Sequence, residues 1–184
     1  VRAEQAGYAS AWLPQVATVD ALMALAIAGA ATRRIELGTA VVPTYPRHPT
    51  VLASQALTAQ DATGNRLALG IGLSHQMMIE GSLGLDYSKP IPHTREYLTI
   101  LNGLLAGEPV RFSGELFKVN AQVRVSGAKK PPVLVAALGP DMLRLCGADL
   151  REVPPSERQI PPPAVQSVNL RRSDRSTTTP EHRP

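Results

Sequence analysis

Residues 35–72 read IELGTAVVPTYPRHPTVLASQALTAQDATGNRLALGIG, which is an apolar strand, a helix and a second apolar strand in succession. The first strand is predicted over 35–42 and the second over 66–72. Between them, Pro49 stands where the first turn of a helix tolerates proline, and Gly64–Asn65 is typical of a helix end. This pattern predicts two parallel strands joined by a crossover helix.

The same alternation continues in both directions with a period of roughly thirty residues. Further strands are predicted over 10–14 and 131–138. Helices are predicted over 1–6, 19–32 with Thr18 as the cap, 49–63, 93–107 and from Pro140 onward, and a hairpin over 110–120 that turns at Ser113–Gly114. Because the strands are apolar almost throughout, we expect both of their faces to be buried. The fold class is therefore α/β, either a doubly wound parallel sheet or a segment of a (β/α)8 barrel.

Composition divides the chain of 184 residues into two parts. Residues 1–150 hold the predicted strands and helices, and they are expected to form one domain. Residues 151–184 contain six of the nineteen Lys and Arg residues and seven prolines, with no periodicity. We expect this tail to be disordered, or else to be frame-shifted sequence. The tail carries half of the net charge of +4, and the rest of the chain is nearly balanced, so the charge does not indicate a nucleic-acid partner.

Cysteine usage and hydropathy suggest where the protein works. Cys146 is the single cysteine, which excludes an internal disulfide and is consistent with a reducing cytosol. No apolar run is long enough to cross a bilayer, so we expect a cytoplasmic protein without a membrane partner. No spacing of His, Cys, Asp and Glu indicates a metal site. The chain opens without Met inside a predicted helix, which we expect of a piece of a longer protein.

Ligands of parallel α/β folds bind at the carboxyl ends of the strands, so the residues that follow each strand are the candidates for a site. These residues are Gln15 after the first strand, Thr44 after the second, Gly72, Ser74 and His75 after the third, and Leu138 and Gly139 after the fourth. Glycine turns before a helix can bind an anion through backbone N–H groups. Each signal also has a plainer interpretation as a tight turn or, for His48 and His75, as a solvated loop histidine. "GIGLSH" (70–75) is not a dinucleotide fingerprint, because His75 stands where a third glycine belongs.

Four stretches together resemble one known family: AGYASAWLPQ, the run from RIELGTAVVPTYPRHP to LALGIGLSH, REYLTILNGLLAGEPVRFSGELFKV, and PPVLVAALGPDMLRLCG. The sequence is similar to the luciferase-like monooxygenases, and within them to the coenzyme F420-dependent oxidoreductases. The resemblance is colinear over about residues 2–148. It implies a (β/α)8 TIM barrel that binds F420, or alternatively FMN, at the carboxyl end of the barrel. About four of the eight strands are retained, which makes this a partial barrel followed by a disordered tail.

The resemblance also implies a set of cofactor contacts. They are Gln15, Thr39, Ala40, Val41, Thr44, Gly72, Ser74, His75, Leu138 and Gly139. Within this set, a non-prolyl cis peptide is expected at Ala40–Val41, where its bulge would support the cofactor ring. Several relatives carry a ring-facing histidine where this chain has Gln15, and an amide cannot move a proton at neutral pH. No catalytic residue is therefore assigned.

The predicted function is an F420- or flavin-dependent oxidoreductase acting on an unidentified small molecule, in an incomplete copy. The isolated chain is expected to bind cofactor weakly or not at all. The alternative is a non-catalytic remnant, such as a pseudogene product, that binds no cofactor. An opened barrel exposes two sheet edges, and a homodimer is one way to cover them.

Overall fold

A computed structural model of the chain describes residues 1–15 and 19–149. The predicted tail, together with Val16 and Thr18, lies outside the described residues. The helices are α1 (Arg2–Gln5), α2 (Ala21–Ala30), α3 (Pro49–Ala62), α4 (Pro90–Leu105) and α5 (Pro140–Asp149). The strands are β1 (Ser10–Leu13), β2 (Glu36–Thr39), β3 (Val42–Pro43), β4 (Leu67–Gly72), β5 (Val110–Ser113), β6 (Lys118–Ala121) and β7 (Val133–Val135).

The main sheet is parallel, and its strands lie side by side in the order of the chain. Strand β1 pairs with β2, both β2 and β3 pair with the same side of β4, and β7 pairs with β4 on the other side. Strands β2 and β3 are thus two parts of one sheet position, separated by a cis peptide at Ala40–Val41. The strand predicted over 35–42 is interrupted there, and the cis bond stands where the resemblance implied it.

Helices α2, α3, α4 and α5 pack against one another in sequence order. The core lies between them and the sheet, and it takes Leu37, Leu69 and Ile71 from the strands together with Leu52 and Leu101 from the helices. A doubly wound sheet would reverse its strand order and carry helices on both faces. Sequential strands with successive helices on one side are instead the arrangement of a barrel segment. This resolves the alternative that the sequence left open.

Three of the boundaries that differ from the prediction have a clear physical reason. The cap of α2 is Asp20, whose carboxylate accepts a hydrogen bond from the Met23 N–H at 3.0 Å, so the prediction of Thr18 as the cap was wrong. Helix α4 begins three residues earlier than predicted, because Pro90 needs no hydrogen-bond partner in a first turn. Strand β7 covers 133–135 rather than 131–138, since the two prolines before it have no N–H to donate.

The predicted hairpin over 110–120 is confirmed as the antiparallel pair β5–β6. Its turn is held by Glu96 of α4, whose carboxylate accepts the backbone N–H groups of Glu115, Leu116 and Phe117 at 2.7–3.0 Å. Although burial acts in the opposite direction, these three bonds lower the pKa of Glu96. The hairpin is therefore fastened over the outer side of α4. Within the part of the chain that the structure covers, no helix has the length and apolarity needed to cross a membrane.

Candidate functional site

The carboxyl ends of the four sheet positions meet at one edge of the sheet. The Ala40 N–H donates to the Leu13 carbonyl at 3.0 Å, and the Thr44 N–H donates to the Gly72 carbonyl at 2.9 Å. On the other side of β4, the Ala136 N–H donates to the Ile71 carbonyl at 2.9 Å. The strand ends that the sequence singled out are therefore neighbours in space.

The cis peptide lays the Val41 side chain across two glycines of β4. A Cβ on Gly72 would lie only 2.8 Å from Val41 Cγ2 and 3.3 Å from the Ala136 Cβ, and one on Gly70 would lie 3.4 Å from Val41 Cγ1. No side chain fits at either glycine without displacing a neighbour. Because both positions lack a side chain, no atom projects from β4 beside the bulge. Ala40 and Ala136 are exposed next to it. Gly72 itself is buried beneath Val41. The result is a small apolar floor, formed by Ala40, Val41 and Ala136 with Gly72 below them, against which a flat ring can lie.

Thr39 joins the two strands just before the bulge. Its hydroxyl is buried, donates to the Gly70 carbonyl at 2.7 Å and accepts from the Gly70 N–H at 2.8 Å. These bonds replace the backbone ladder at the point where β2 ends. The Thr39 hydroxyl is thus occupied by the sheet, and the contact of Thr39 with a cofactor stays a prediction.

The turns after β4 and β7 have the backbone conformations of tight corners. Ser74 has φ +66° and Gly139 has φ +82°, both in the left-handed region. The carbonyl of His75 accepts the N–H groups of Met78 and Ile79, at the start of a π-helical turn over Met77–Ser82. The side chain of His75 is exposed. Leu138 is 87% exposed directly before Gly139, where α5 begins. Backbone N–H groups at such turns suit an anion, although each turn alone is a weak signal.

Gln15 lies where β1 leads into α2. Its amide oxygen accepts the Ala21 N–H at 3.2 Å, so this side chain helps to satisfy the first turn of that helix.

The side chains of the corner after β3 also make contacts within the fold. Arg47 pairs with Asp20 at 2.6 Å, and His48 caps α3 by accepting the Thr50 N–H at 3.3 Å. The basic corner of the sequence therefore fastens the start of α3 to the start of α2.

An aromatic stack beside the floor was not anticipated. The rings of Tyr45 and His93 lie 4.0 Å apart and nearly parallel, and Tyr87 stacks on the other side of Tyr45 at 5.0 Å. The prediction that His93 lies in a first helical turn is confirmed, but no pattern in the sequence predicts which rings surround it. Burial lowers the pKa of His93 to about 4, so its ring is neutral near pH 7. Its Nε2 atom lies 3.1 Å from the Thr44 hydroxyl.

The chemistry that these groups can perform themselves is limited. Among the described residues, no three His, Cys, Asp or Glu side chains are placed to hold a metal ion. No carboxylate or histidine of that part of the chain forms the floor itself. What the arrangement provides is a flat apolar surface flanked by two glycine- or serine-containing turns. Those features fit a cofactor with a planar ring and an anionic side chain, which brings its own redox chemistry.

Comparison with known proteins identifies the family and the fold of the chain. Residues 1–152 match the luciferase-like monooxygenase family. An F420-dependent glucose-6-phosphate dehydrogenase of Microbacterium testaceum is 34% identical over 133 residues, which are 70% of this chain and 39% of that protein. The structure of the coenzyme F420-dependent tetrahydromethanopterin reductase of Methanopyrus kandleri is 26% identical with a TM-score of 0.67, over 79% of this chain and 47% of that one.

A second similar structure is the oxygenating constituent of 3,6-diketocamphane monooxygenase from Pseudomonas putida, in complex with FMN. It is 18% identical with a TM-score of 0.63, over 73% of this chain and 43% of that one, and it supports the fold alone. The chain spans 39–46% of the length of the curated relatives that it matches.

Proposed function

We propose, since the chain belongs to the luciferase-like monooxygenase family, that it forms one wall of the cofactor site of an oxidoreductase that uses coenzyme F420, or alternatively FMN. The single observation that carries the proposal is the floor beside the cis peptide. It lies at the carboxyl edge of the sheet, where barrels bind their ligands, and it is kept flat by Gly72.

Each residue would have a limited task in binding. Ala40, Val41 and Gly72 would support the ring, and Thr44 would border it. Backbone groups of Ser74 and His75, and those of Leu138 and Gly139, would face the anionic side chain. The bound cofactor supplies hydride chemistry, while the protein supplies orientation and a dry surface. Gln15 can donate a hydrogen bond from its amide nitrogen but cannot hold or move a proton at neutral pH.

The affinity of this chain alone is expected to be low. A complete barrel encloses its ligand with loops from eight strands, and the described sheet has four strand positions. One wall gives fewer contacts and leaves more of the ligand in water. We therefore expect a dissociation constant of roughly 0.1 mM or weaker, which corresponds to a binding free energy of about −5.5 kcal/mol or a less negative value.

Backbone NMR of the full chain tests the proposal. Titration with F420, and separately with FMN, is expected to shift the amide resonances of residues 39–44, 72–76 and 136–139 in a saturable manner. The matched pair of variants is Gly72→Ala and Gly81→Ala. A Cβ on Gly72 meets Val41 at 2.8 Å and raises the floor, whereas one on Gly81 meets no atom within 4 Å.

The two variants give opposite expectations. Gly72→Ala should weaken binding several-fold, and Gly81→Ala should leave it unchanged. Shifts that are absent, or that gather at the amino end of the sheet, would contradict the proposal. That result would favour the second candidate, a remnant without cofactor binding, which draws its support from the coverage of less than half of each relative.

A further inference from the structure

The segment between β4 and α4 carries Ser74 and His75, and its far end is anchored by aromatic rings. Tyr87 stacks on Tyr45 with ring centroids 5.0 Å apart and planes inclined by 27°. Tyr45 in turn stacks on His93 of α4 at 4.0 Å and 8°. The segment from 73 to 89 is thus fastened to the corner after β3 and to the first turn of α4.

Hydrogen bonds also connect these stacked residues to the end of β4. The Tyr87 hydroxyl donates to the Ser74 carbonyl at 3.4 Å, a long bond that reaches back to the start of the segment. His93 Nε2 lies 3.1 Å from the Thr44 hydroxyl, and the Thr44 N–H donates to the Gly72 carbonyl. Tyr87 therefore contacts the segment that it belongs to at Ser74, two residues beyond the end of β4.

Tyr45 links Tyr87 to His93 through its ring and not through its hydroxyl. Its hydroxyl is buried and has no hydrogen-bond partner among the described residues. A buried hydroxyl without a partner does not stabilise the fold, so removing it should be neutral or favourable. Tyr45→Phe therefore keeps the stack intact and serves as a built-in control.

We propose that Tyr87 is a positioning residue that holds the Ser74 turn in shape for the anionic side chain of the cofactor, acting through its stack on Tyr45 and His93. The inference rests on the proposed function for the identity of the ligand. It goes further by naming a residue that lies away from the floor and yet governs one end of the ligand.

The test separates the anionic end of a flavin from its ring. FMN and riboflavin share the ring and differ by a phosphate, so the ratio of their affinities reports on the turn. Tyr87→Leu removes the stack and should weaken FMN binding by about three- to tenfold, the factor that one aromatic pair represents, while riboflavin binding stays within twofold. Tyr87→Phe keeps the stack but removes the hydrogen bond to the Ser74 carbonyl, so its loss of FMN binding should be smaller than that of Tyr87→Leu but still measurable. Tyr45→Phe should match the wild type for both ligands.

Amide hydrogen exchange provides a second readout that needs no ligand. Tyr87→Leu should raise exchange at Met78 and Ile79, whose N–H groups donate to the His75 carbonyl at 2.9 and 3.0 Å, by about three- to tenfold, the same factor. A control is Tyr8→Leu, since Tyr8 is 67% exposed near α1, and it should change neither the ratio nor the exchange.

Each outcome decides the inference. An equal loss for FMN and riboflavin in Tyr87→Leu, or exchange at Met78 and Ile79 identical to wild type, would overturn the positioning role. If the wild type binds neither flavin and not F420, the proposed function fails, and the exchange data alone then decide whether Tyr87 holds the turn.

Discussion

Gly70→Ala should be among the most damaging single changes in the sheet, because the space beside Gly70 is filled by backbone. A Cβ there would lie 2.0 Å from the Thr39 carbonyl oxygen. Contacts to a Cβ are not found below about 3 Å, so β2 and β4 must separate by about 1 Å at this point. A flexible side chain could move aside, but a backbone carbonyl within a sheet cannot.

The expected loss follows from two contributions. Overpacking of this kind costs about 1–3 kcal/mol. The separation also breaks the two hydrogen bonds between Thr39 and Gly70, at 2.7 and 2.8 Å, and leaves buried groups without partners at about 1–3 kcal/mol for each group. A total of about 3–9 kcal/mol is a large share of the ~5–15 kcal/mol that stabilises an ordinary domain.

Urea unfolding measures this loss. Trp12 is the single tryptophan, and its ring lies on Gly38 of β2, so its fluorescence reports on the sheet. Gly81→Ala is the control, because a Cβ there meets no atom within 4 Å, and its effect should stay within about 0.5 kcal/mol. A Gly70→Ala protein as stable as Gly81→Ala would refute the close approach of β2 and β4.

Three further predictions concern stability. Arg66→Lys should cost about 2–4 kcal/mol in urea unfolding, because the guanidinium donates four hydrogen bonds at 2.8–3.1 Å that an ammonium cannot reproduce; an unchanged midpoint would contradict this. Backbone N–H donors, Ile35 first, lower the pKa of Glu4 from 4.5 to about 2, so its contribution is complete above pH 4.5 and is lost as the pH falls towards 2. The stability difference between wild type and Glu4→Gln should shrink over that window, and a constant difference would be inconsistent. Burial lowers the pKa of His93 from 6.5 to about 4, so stability should fall between pH 6.5 and 4 in the wild type and less steeply in His93→Gln; parallel pH profiles would argue against a buried neutral ring.

The sequence predicted the strands well where an apolar run lies between clear helix start and end signals. Strands over 35–42 and 66–72 are apolar and lie between clear helix signals, so their positions hold to within a few residues. The interruption at Ala40–Val41 is different, because nothing in the local pattern of small and branched residues distinguishes a cis bond from an ordinary strand. Only the resemblance implied it. Likewise, Thr18 and Asp20 are both residue types that cap helices well, so the local pattern does not choose between them. In the structure Asp20 caps α2 and also pairs with Arg47, which lies far along the chain.

The candidate site shows the same division. Strand ends could be located by pattern, and the rule that parallel strands share one binding edge brought Gly72 and Thr44 together. The stack of Tyr45, Tyr87 and His93 could not be predicted, since it joins three segments whose relative positions are set by tertiary packing. Aromatic residues are few in this chain, at 4%, and that scarcity was the one available hint that each has a specific place.

The most direct test of the central claim, that the surface beside the cis peptide supports a redox cofactor, is an intermolecular NOE experiment with FMN added to the labelled full chain. The account predicts cross-peaks between the ring protons of FMN and the methyl groups of Val41, with weaker ones to Ala136. Cross-peaks that reach instead only residues at the amino end of the sheet, such as Ile35, would contradict it.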